Sequence, residues 1–426
     1  DSGNGWSAPE LVSEHYYEAD SEIPVLASAG DWLYMLYRDG GDLDQNGDSN
    51  GNDAHADDGD IFFRRSSNNA ESWSDPVVLS QINGDGDSNG GTIGYQYRSA
   101  IAAVDSYVYA AWVDYNLLGT PDIYDYEIMF AISSDYGATW DEPFILSNSY
   151  GDDWSYEPVI VAEGSHVYVA WREYGNVDGS GALEYDIAFR HSENYGQNWD
   201  DTIVPYDTDG ADYYPALALG GDRVYLALIE YRQDPDSTLY DYYVMSLWSD
   251  DYGNSWTEPV VVSNEDESNL ADYPVLAADS DTLYVAWTDY GNYDGDGVSD
   301  YDVIFKSSGN GGTTWSQPVV ISDDTATSSS SYLFPTLAAG SGLVYVAWQN
   351  YNGSDYSHQL RFSDDQGAAW SDWTEISDSG NQKQNVNYAA PGATVGKRAC
   401  FGYSSAEDMV GAGEDDIDIF VRCTLG

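Results

Sequence analysis

Between residues 273 and 322 the chain sets four short apolar runs among polar turns. Tyr273-Pro274-Val275-Leu276-Ala277-Ala278 is followed by Thr282-Leu283-Tyr284-Val285-Ala286-Trp287, then by Asp302-Val303-Ile304-Phe305-Lys306, and last by Pro318-Val319-Val320-Ile321-Ser322. Val, Ile, Tyr, Phe and Trp fill the runs and Gly, Asp and Ser separate them, which is the composition of strands and turns. No stretch of the unit carries a helical period. The second run recurs as Val108-Tyr109-Ala110-Ala111-Trp112, Val167-Tyr168-Val169-Ala170-Trp171, Val224-Tyr225-Leu226-Ala227-Leu228 and Val344-Tyr345-Val346-Ala347-Trp348. Four strands therefore return with each repeat of the pattern.

A second signal fixes the period. The phrase Ser-x-Asp/Asn-x-Gly-x-x-Trp is written six times, ending at Trp73, Trp140, Trp199, Trp256, Trp315 and Trp370, at spacings of 67, 59, 57, 59 and 55 residues. One supersecondary unit per period marks a repeat architecture, and four antiparallel strands in about 55–60 residues make one propeller blade. The C-terminal segment offers three strands at 392–395, 398–403 and 418–422, without a fourth. The N-terminus offers the missing one: Trp6 lies 67 residues before Trp73 and is followed by Pro9-Glu10-Leu11-Val12-Ser13. The expectation is an all-β, seven-bladed β-propeller of four-stranded antiparallel blades, spanning 1–426 as one domain. Its blades cover 21–80, 98–147, 155–205, 213–263, 273–322 and 334–377, and a last blade is shared between 1–13 and 388–426. Joining the ends removes two exposed sheet edges. Cys400 and Cys423, the only cysteines, fall on neighbouring strands of that shared blade. A disulfide there and a pair of buried thiols are both open.

The repeated phrase resembles the Asp-box (BNR) repeat of sialidases and related secreted propellers, over nearly the whole chain. That resemblance implies the propeller fold. It does not choose an activity, because Asp boxes occur in hydrolases, lectin-like binders, sorting receptors and assembly factors. The boxes themselves read as structural. Asn68, Asp135, Asn194, Asp251, Asn310 and Asp365 sit where a short side chain accepts N–H groups of its own turn. Gly137, Gly196, Gly253, Gly312 and Gly367 permit positive φ there, and Ala70 replaces glycine in the first copy. Function is expected on the opposite loops, between strands two and three and between blades.

Those loops are acidic. Against 14 Lys+Arg the chain carries 74 Asp+Glu, a net charge of −60. Such a surface repels nucleic acid and anionic membranes and attracts divalent cations. No run approaches the ~18 apolar residues of a membrane span, so no direct membrane insertion is expected. With no basic-and-apolar leader at Asp1, a mature secreted or cell-surface chain is expected. Asp42, Asp44, Asn46, Asp48, Asn50 and Asp53, with Gly47 at the sharp turn, match the twelve-residue calcium loop. Two departures stand out: Asp53 replaces the usual Glu, and no helices flank the loop. Asp85, Asp87 and Asn89 form a shorter copy, and Asp294 and Asp296 with Asp300 a weaker one, as does Asp178-Gly179-Ser180 with Glu184. Calcium is the expected cofactor, with solvated acidic loops as the alternative.

Candidate ligand residues follow from the ends of the second strands. An acid precedes tyrosine at Asp114-Tyr115, Glu173-Tyr174, Glu230-Tyr231 and Asp289-Tyr290, and Tyr-Pro opens first strands at Tyr214-Pro215 and Tyr273-Pro274. Aromatic faces with carboxylates suit sugar recognition, and they suit repeat packing too. A sialidase would bring three arginines, an acid and a Tyr–Glu pair. Arg38, Arg98, Arg172 and Arg232 lie on the expected face, but Glu22-Ile23-Pro24 has Glu where the entry motif of that family has Arg. The reading is a secreted, calcium-stabilised propeller that acts as a binding or structural module for a glycan or an extracellular protein, leaning away from an enzyme. A glycoside hydrolase, sialidase-like or acting on a neutral glycan, is the first alternative. Self-assembly into a surface layer or filament is the second.

Overall fold

The computed structural model describes residues 5–13, 21–39, 60–80, 99–115, 126–147, 154–177, 179, 181, 183–207, 210–233, 240–263, 270–291, 293, 299–322, 333–351, 356–377, 393–395, 398–405 and 418–424. Among them there are 27 strands and no helix. The chain divides into two compact units, Gly3–Glu157 with Ser377–Gly426, and Pro158–Ile376.

In the first unit, β1 (Glu10–Leu11) stands apart in sequence from β2 (Ser21–Ala29), β3 (Trp32–Asp39), β4 (Asp60–Ser66) and β5 (Val77–Val78), which form one antiparallel sheet in that order. A second set is β6 (Ala100–Val104), β7 (Tyr107–Tyr115), β8 (Tyr126–Ser133) and β9 (Phe144–Ile145). Next in the chain is β10 (Trp154–Glu163), whose first residue, Trp154, makes a parallel bridge to Tyr126.

The second unit continues with β11 (His166–Gly175) and β12 (Glu184–Ser192). It then adds the four-stranded sheet β13 (Ala211–Gly220), β14 (Arg223–Gln233), β15 (Tyr240–Ser249), β16 (Val260–Val261). Two more follow in the same order: β17 (Asp272–Asp279), β18 (Thr282–Gly291), β19 (Asp300–Ser308), β20 (Val319–Val320), and β21 (Thr336–Gly340), β22 (Leu343–Tyr351), β23 (Tyr356–Ser363), β24 (Thr374–Glu375). The chain closes in the first unit with β25 (Ala393–Val395), β26 (Arg398–Ser405) and β27 (Asp418–Cys423). There β1 pairs with β27, Glu10 opposite Val421 and Leu11 opposite Phe420. Cys400 and Cys423 face each other across β26 and β27 and are disulfide-bonded, with Cα atoms 4.1 Å apart. An all-β chain of four-stranded antiparallel sheets is propeller-like.

Second strands read as unbroken apolar runs because both faces of these sheets are covered. In the second unit, Tyr168, Ala170, Ile187 and Phe189 pack against Leu217, Leu226, Leu228 and Met245 of the next sheet. The other face of that sheet carries Ile229 and Val244 against Val285, Trp287 and Ile304.

The repeated turns join third strands to fourth. In each, the serine hydroxyl accepts the N–H four residues on, as from Gly253 to Ser249 at 2.7 Å and from Ala70 to Ser66 at 3.1 Å. The next acid or amide oxygen accepts a second N–H, as from Thr139 to Asp135 at 2.8 Å and from Ala369 to Asp365 at 2.8 Å. These bonds hold the carboxyls of Asp135 and Asp365 below their ordinary range, and Asp251 is held down chiefly by the Ser255 hydroxyl. Such carboxylates belong to their own turns. Gly253 has φ +90°, and a Cβ built on it would meet Phe189 of the preceding sheet at 2.4 Å. Trp256 lies edge-on to the same Phe189 at 5.1 Å. The turn thus clips one sheet onto its neighbour.

Candidate functional site

In the second unit, three segments carry an aromatic residue before a proline: Tyr214-Pro215 in β13, Tyr273-Pro274 in β17, and Phe334-Pro335 before β21. These residues adopt φ of 52°, 52° and 38°, a conformation that bulky L-residues rarely take. The strand register shifts at two of the three places, between Tyr213 and Ala216 and between Asp272 and Val275. A bulge of this kind re-aims a side chain and adds local twist. The rings it aims make one continuous contact. Tyr214 and Tyr273 have centroids 4.6 Å apart, and Tyr273 and Phe334 likewise 4.6 Å. At the other end Tyr213 meets Tyr214 at 6.3 Å and Tyr185 at 5.4 Å, and Tyr185 meets Tyr174 at 4.9 Å. Five of these six rings are half-buried and Phe334 is buried.

Arg172 lies behind this run. It is only 4% exposed, and its guanidinium carbon sits 5.1, 5.5 and 6.0 Å from the ring centres of Tyr185, Tyr213 and Tyr214, within cation–π range. Arg232 instead pairs with Glu230 at 3.1 Å and lies 4.5 Å over Tyr243.

A repeating hydrogen bond runs through the sheets and fails beside this run. Seven residues after most box tryptophans stands a serine, and in several copies an acid stands thirteen residues before the tryptophan, although Tyr243 and Ser357 hold that place in two others. Ser80 donates to Asp60 at 2.7 Å, Ser322 to Asp302 at 2.7 Å, Ser13 to Asp418 at 2.8 Å, and Ser147 to Glu127. Each serine oxygen also accepts the N–H after the acid, as from Ile128 to Ser147 at 2.8 Å. After Trp199 the serine position holds Tyr206, preceded by Pro205, while the acid Asp186 remains.

Oxygen atoms of Asp186, Glu184 and Asp207 all lie within 4.8 Å of one another. Asp212, opposite Glu230 in the β13–β14 pair, is 0% exposed, and neither of its carboxylate oxygens has a hydrogen-bond partner. Burial pushes its carboxyl well up, and the charges of Glu230, Asp186, Asp207 and Glu184 push it further. Glu230 is also raised by burial, against the opposing pull of Arg232.

The residues proposed from sequence fall as follows. Arg172, Tyr174 and the Tyr-Pro pairs come together; Arg232 and Tyr231 lie on β14, with the Tyr231 ring tilted against Tyr242 at 4.7 Å. Tyr290 meets Tyr301 at 5.0 Å and is 37% exposed. Arg38 is in the first unit, half-buried opposite Ile61. Asp42, Asp44, Asn46, Asp48, Asn50, Asp53, Asp85, Asp87, Asn89, Asp294, Asp296 and Arg98 lie outside the described residues, as does the Tyr115 side chain. Asp300 is buried at the start of β19, opposite Gly291.

The acids of the second strands turn inward to packing. Trp171 Nε1 donates to Glu173 at 2.5 Å and Trp287 Nε1 to Asp289 at 2.9 Å. Burial lifts the Asp289 carboxyl to about 6. Sequence reasoning overlooked Asp186, Asp207 and Asp212. The tyrosine in place of serine seven residues after Trp199 was the available signal.

No family model matches the chain, and no curated protein does. Solved structures do. An ulvan lyase of a new polysaccharide lyase family aligns with a TM-score of 0.57 at 13% identity, covering 95% of this chain and 94% of that one. The same lyase bound to -[GlcA(1-4)Rha3S]- gives 0.56. The endosialidase of phage phi92 gives 0.51 at 9% identity, over 98% of this chain and 68% of its own. These likenesses fit a sialidase-like propeller fold. They also correct the expectation of a non-catalytic binding or structural module, since the ulvan lyase and the endosialidase, which align over nearly the whole chain, are enzymes.

Proposed function

We propose that this protein is an enzyme that cleaves glycosidic bonds within a polysaccharide, and that the glycan lies along the aromatic run from Tyr174 to Phe334. The observation that carries the reading is the run itself. Positive φ before proline also occurs at Ile23 and Glu157, so the kink belongs to the repeat, and what is particular to the three segments at Tyr214, Tyr273 and Phe334 is the aromatic side chain that it aims. Three such residues in successive segments of one unit align rings whose faces suit the C–H faces of sugars. Six rings in sequence suit a polymer better than a single sugar. An ulvan lyase and an endosialidase are among the structures that align with TM-scores above one half, which supports polymer cleavage as the activity class.

Two chemistries break such a bond. Hydrolysis uses a carboxylic acid to protonate the leaving oxygen and a second carboxylate to attack or to activate water. Elimination from a uronate removes the proton beside its carboxyl group; that electron pair forms a C=C bond as the C–O bond breaks and its oxygen takes a proton. The phenols of the run and the carboxylates at its side provide proton carriers for either. Seven Asp-box blades, the last shared between the chain ends, secretion, and calcium in the acidic loops are parts of the same proposal. The β1–β27 pairing and the acidic composition support them.

The test is a panel of uronate-containing, sulfated, sialylated and neutral polysaccharides, followed by reducing-end formation and by absorbance of unsaturated products. Tyr214→Ala and Tyr273→Ala are expected to lower kcat/KM at least about tenfold, the loss of one stacking contact, with the melting temperature of the fold retained. A panel with no cleavage, or variants that cut at the wild-type rate, would overturn the reading.

A further inference from the structure

We propose that Glu184, Asp186, Asp207 and Asp212 hold one divalent cation, calcium by their donor chemistry. An ion with ligands at about 2.4 Å holds any two of them no more than about 4.8 Å apart. The mutual spacing of the Glu184, Asp186 and Asp207 oxygens meets that condition within 4.8 Å. Every donor is a carboxylate, with no imidazole or thiolate, and that set selects a hard cation.

Acidic side chains gather on many surfaces without an ion, so the cluster alone would mean little. Asp212 supplies the independent observation. Its side chain is wholly buried, and both oxygens lack a hydrogen-bond donor. It stands opposite Glu230 on β13, and it lies close enough to all three members of the cluster for their charges to act on it. A buried carboxyl without a donor is costly unless a proton or a cation meets it.

Other copies of the repeat show how this one differs. Where Asp60, Glu127, Asp302 and Asp418 each receive a serine hydroxyl, Asp186 has Tyr206 at the serine position and more acids around it. The charge that arrives in this sheet in place of the serine is negative, which a cation answers and a solvated loop would not require.

The inference stands apart from the glycan reading, and its test reads metal rather than cleavage. The chelator-treated full chain is titrated with calcium by calorimetry, and with terbium by tyrosine-sensitised luminescence, which the nearby phenols make sensitive. Bound calcium is then counted by elemental analysis for the wild type, for Asp212→Asn, and for the double variant Glu184→Gln with Asp207→Asn. Glu184 and Asp207 are not buried, so the double variant is expected to fold even if the Asp212 variant does not. Loss of one bound equivalent from the folded double variant, with sensitised terbium emission reduced, supports the site. An unchanged equivalent count in that variant, or wild-type chain that binds neither metal, overturns it.

Discussion

Replacing His358 by isoleucine is expected to stabilise the fold, and increasingly so as the pH falls. His358 lies on β23 and is 0% exposed. Its carbonyl accepts the Ile376 N–H at 2.8 Å. The same bond places its counterparts in other sheets: Leu79 to Ile61, Leu146 to Ile128, Val262 to Val244, Ile321 to Val303, and Val12 to Ile419. Twelve residues before Trp199, the corresponding residue is Ile187. The position is thus aliphatic at six places in the chain, and a histidine holds it at one.

Burial lowers the His358 imidazole from 6.5 to about 4. Since its folded value lies below the unfolded one, the unfolded chain binds the proton first. Stability from the neutral ring is complete above about pH 6.5 and is lost as the pH falls towards about 4. The full gap is worth about 3 kcal/mol. Melting curves of wild type and His358→Ile, taken at steps from pH 7.5 to pH 4, separate this group from the many carboxylates, which titrate alike in both. The variant's advantage is expected to widen through that window. A constant difference between the two proteins at every pH would refute the argument.

Two further substitutions follow from the packing. Gly253→Ala combines a left-handed backbone with a clash against Phe189, and is expected to cost about 2–4 kcal/mol, read as a lower unfolding midpoint; a shift under about 0.5 kcal/mol would mean that the Phe189 ring moves aside freely. Cys400→Ser with Cys423→Ser opens a loop of 23 residues and is expected to cost about 3 kcal/mol. Reducing agent should lower the wild-type melt and leave the double variant unchanged, and equal melts for both under oxidising conditions would count against it.

Much of this architecture was legible because the repeat is local. The box serine, its acid or amide, its glycine and its tryptophan all lie within eight residues, and each hydrogen bond they make stays inside that turn. The second strands were legible for a different reason: sheets covered on both faces admit apolar residues at every position. The third repeat is where local reading fell short. A fourth strand was expected up to residue 205, yet only the bridge between Phe189 and Ile203 forms. Pro205 has no N–H to donate to the third strand, so the pairing ends at Ile203, two residues before it. The kinked aromatic positions were half legible. Tyr-Pro marked where first strands begin, but proline restricts the residue before it toward extended backbone, and nothing in the dipeptide announces a positive φ.

The acid cluster could not be read as a cluster, because its members come from β12, from the segment after Ile203, and from the next sheet. What sequence does hold is the exception to a rule. A box tryptophan is followed seven residues later by serine at Ser13, Ser80, Ser147, Ser263, Ser322 and Ser377, and by Tyr206 alone otherwise. A hydroxyl that satisfies both an acid and a backbone N–H contributes about 1 kcal/mol or more for each bond it makes. Packing selection would therefore keep it, as it does beside Asp60, Glu127, Asp302 and Asp418. Its loss in the one sheet that also gathers Glu184, Asp207 and Asp212 around Asp186, beside the strained tyrosines, is hard to explain by stability. In a repeat protein the positions that break the repeat are where a demand other than folding acts. By that rule the substitutions to make first are those of the proposed cation site between β12 and β13, ahead of the boxes that make the fold recognisable.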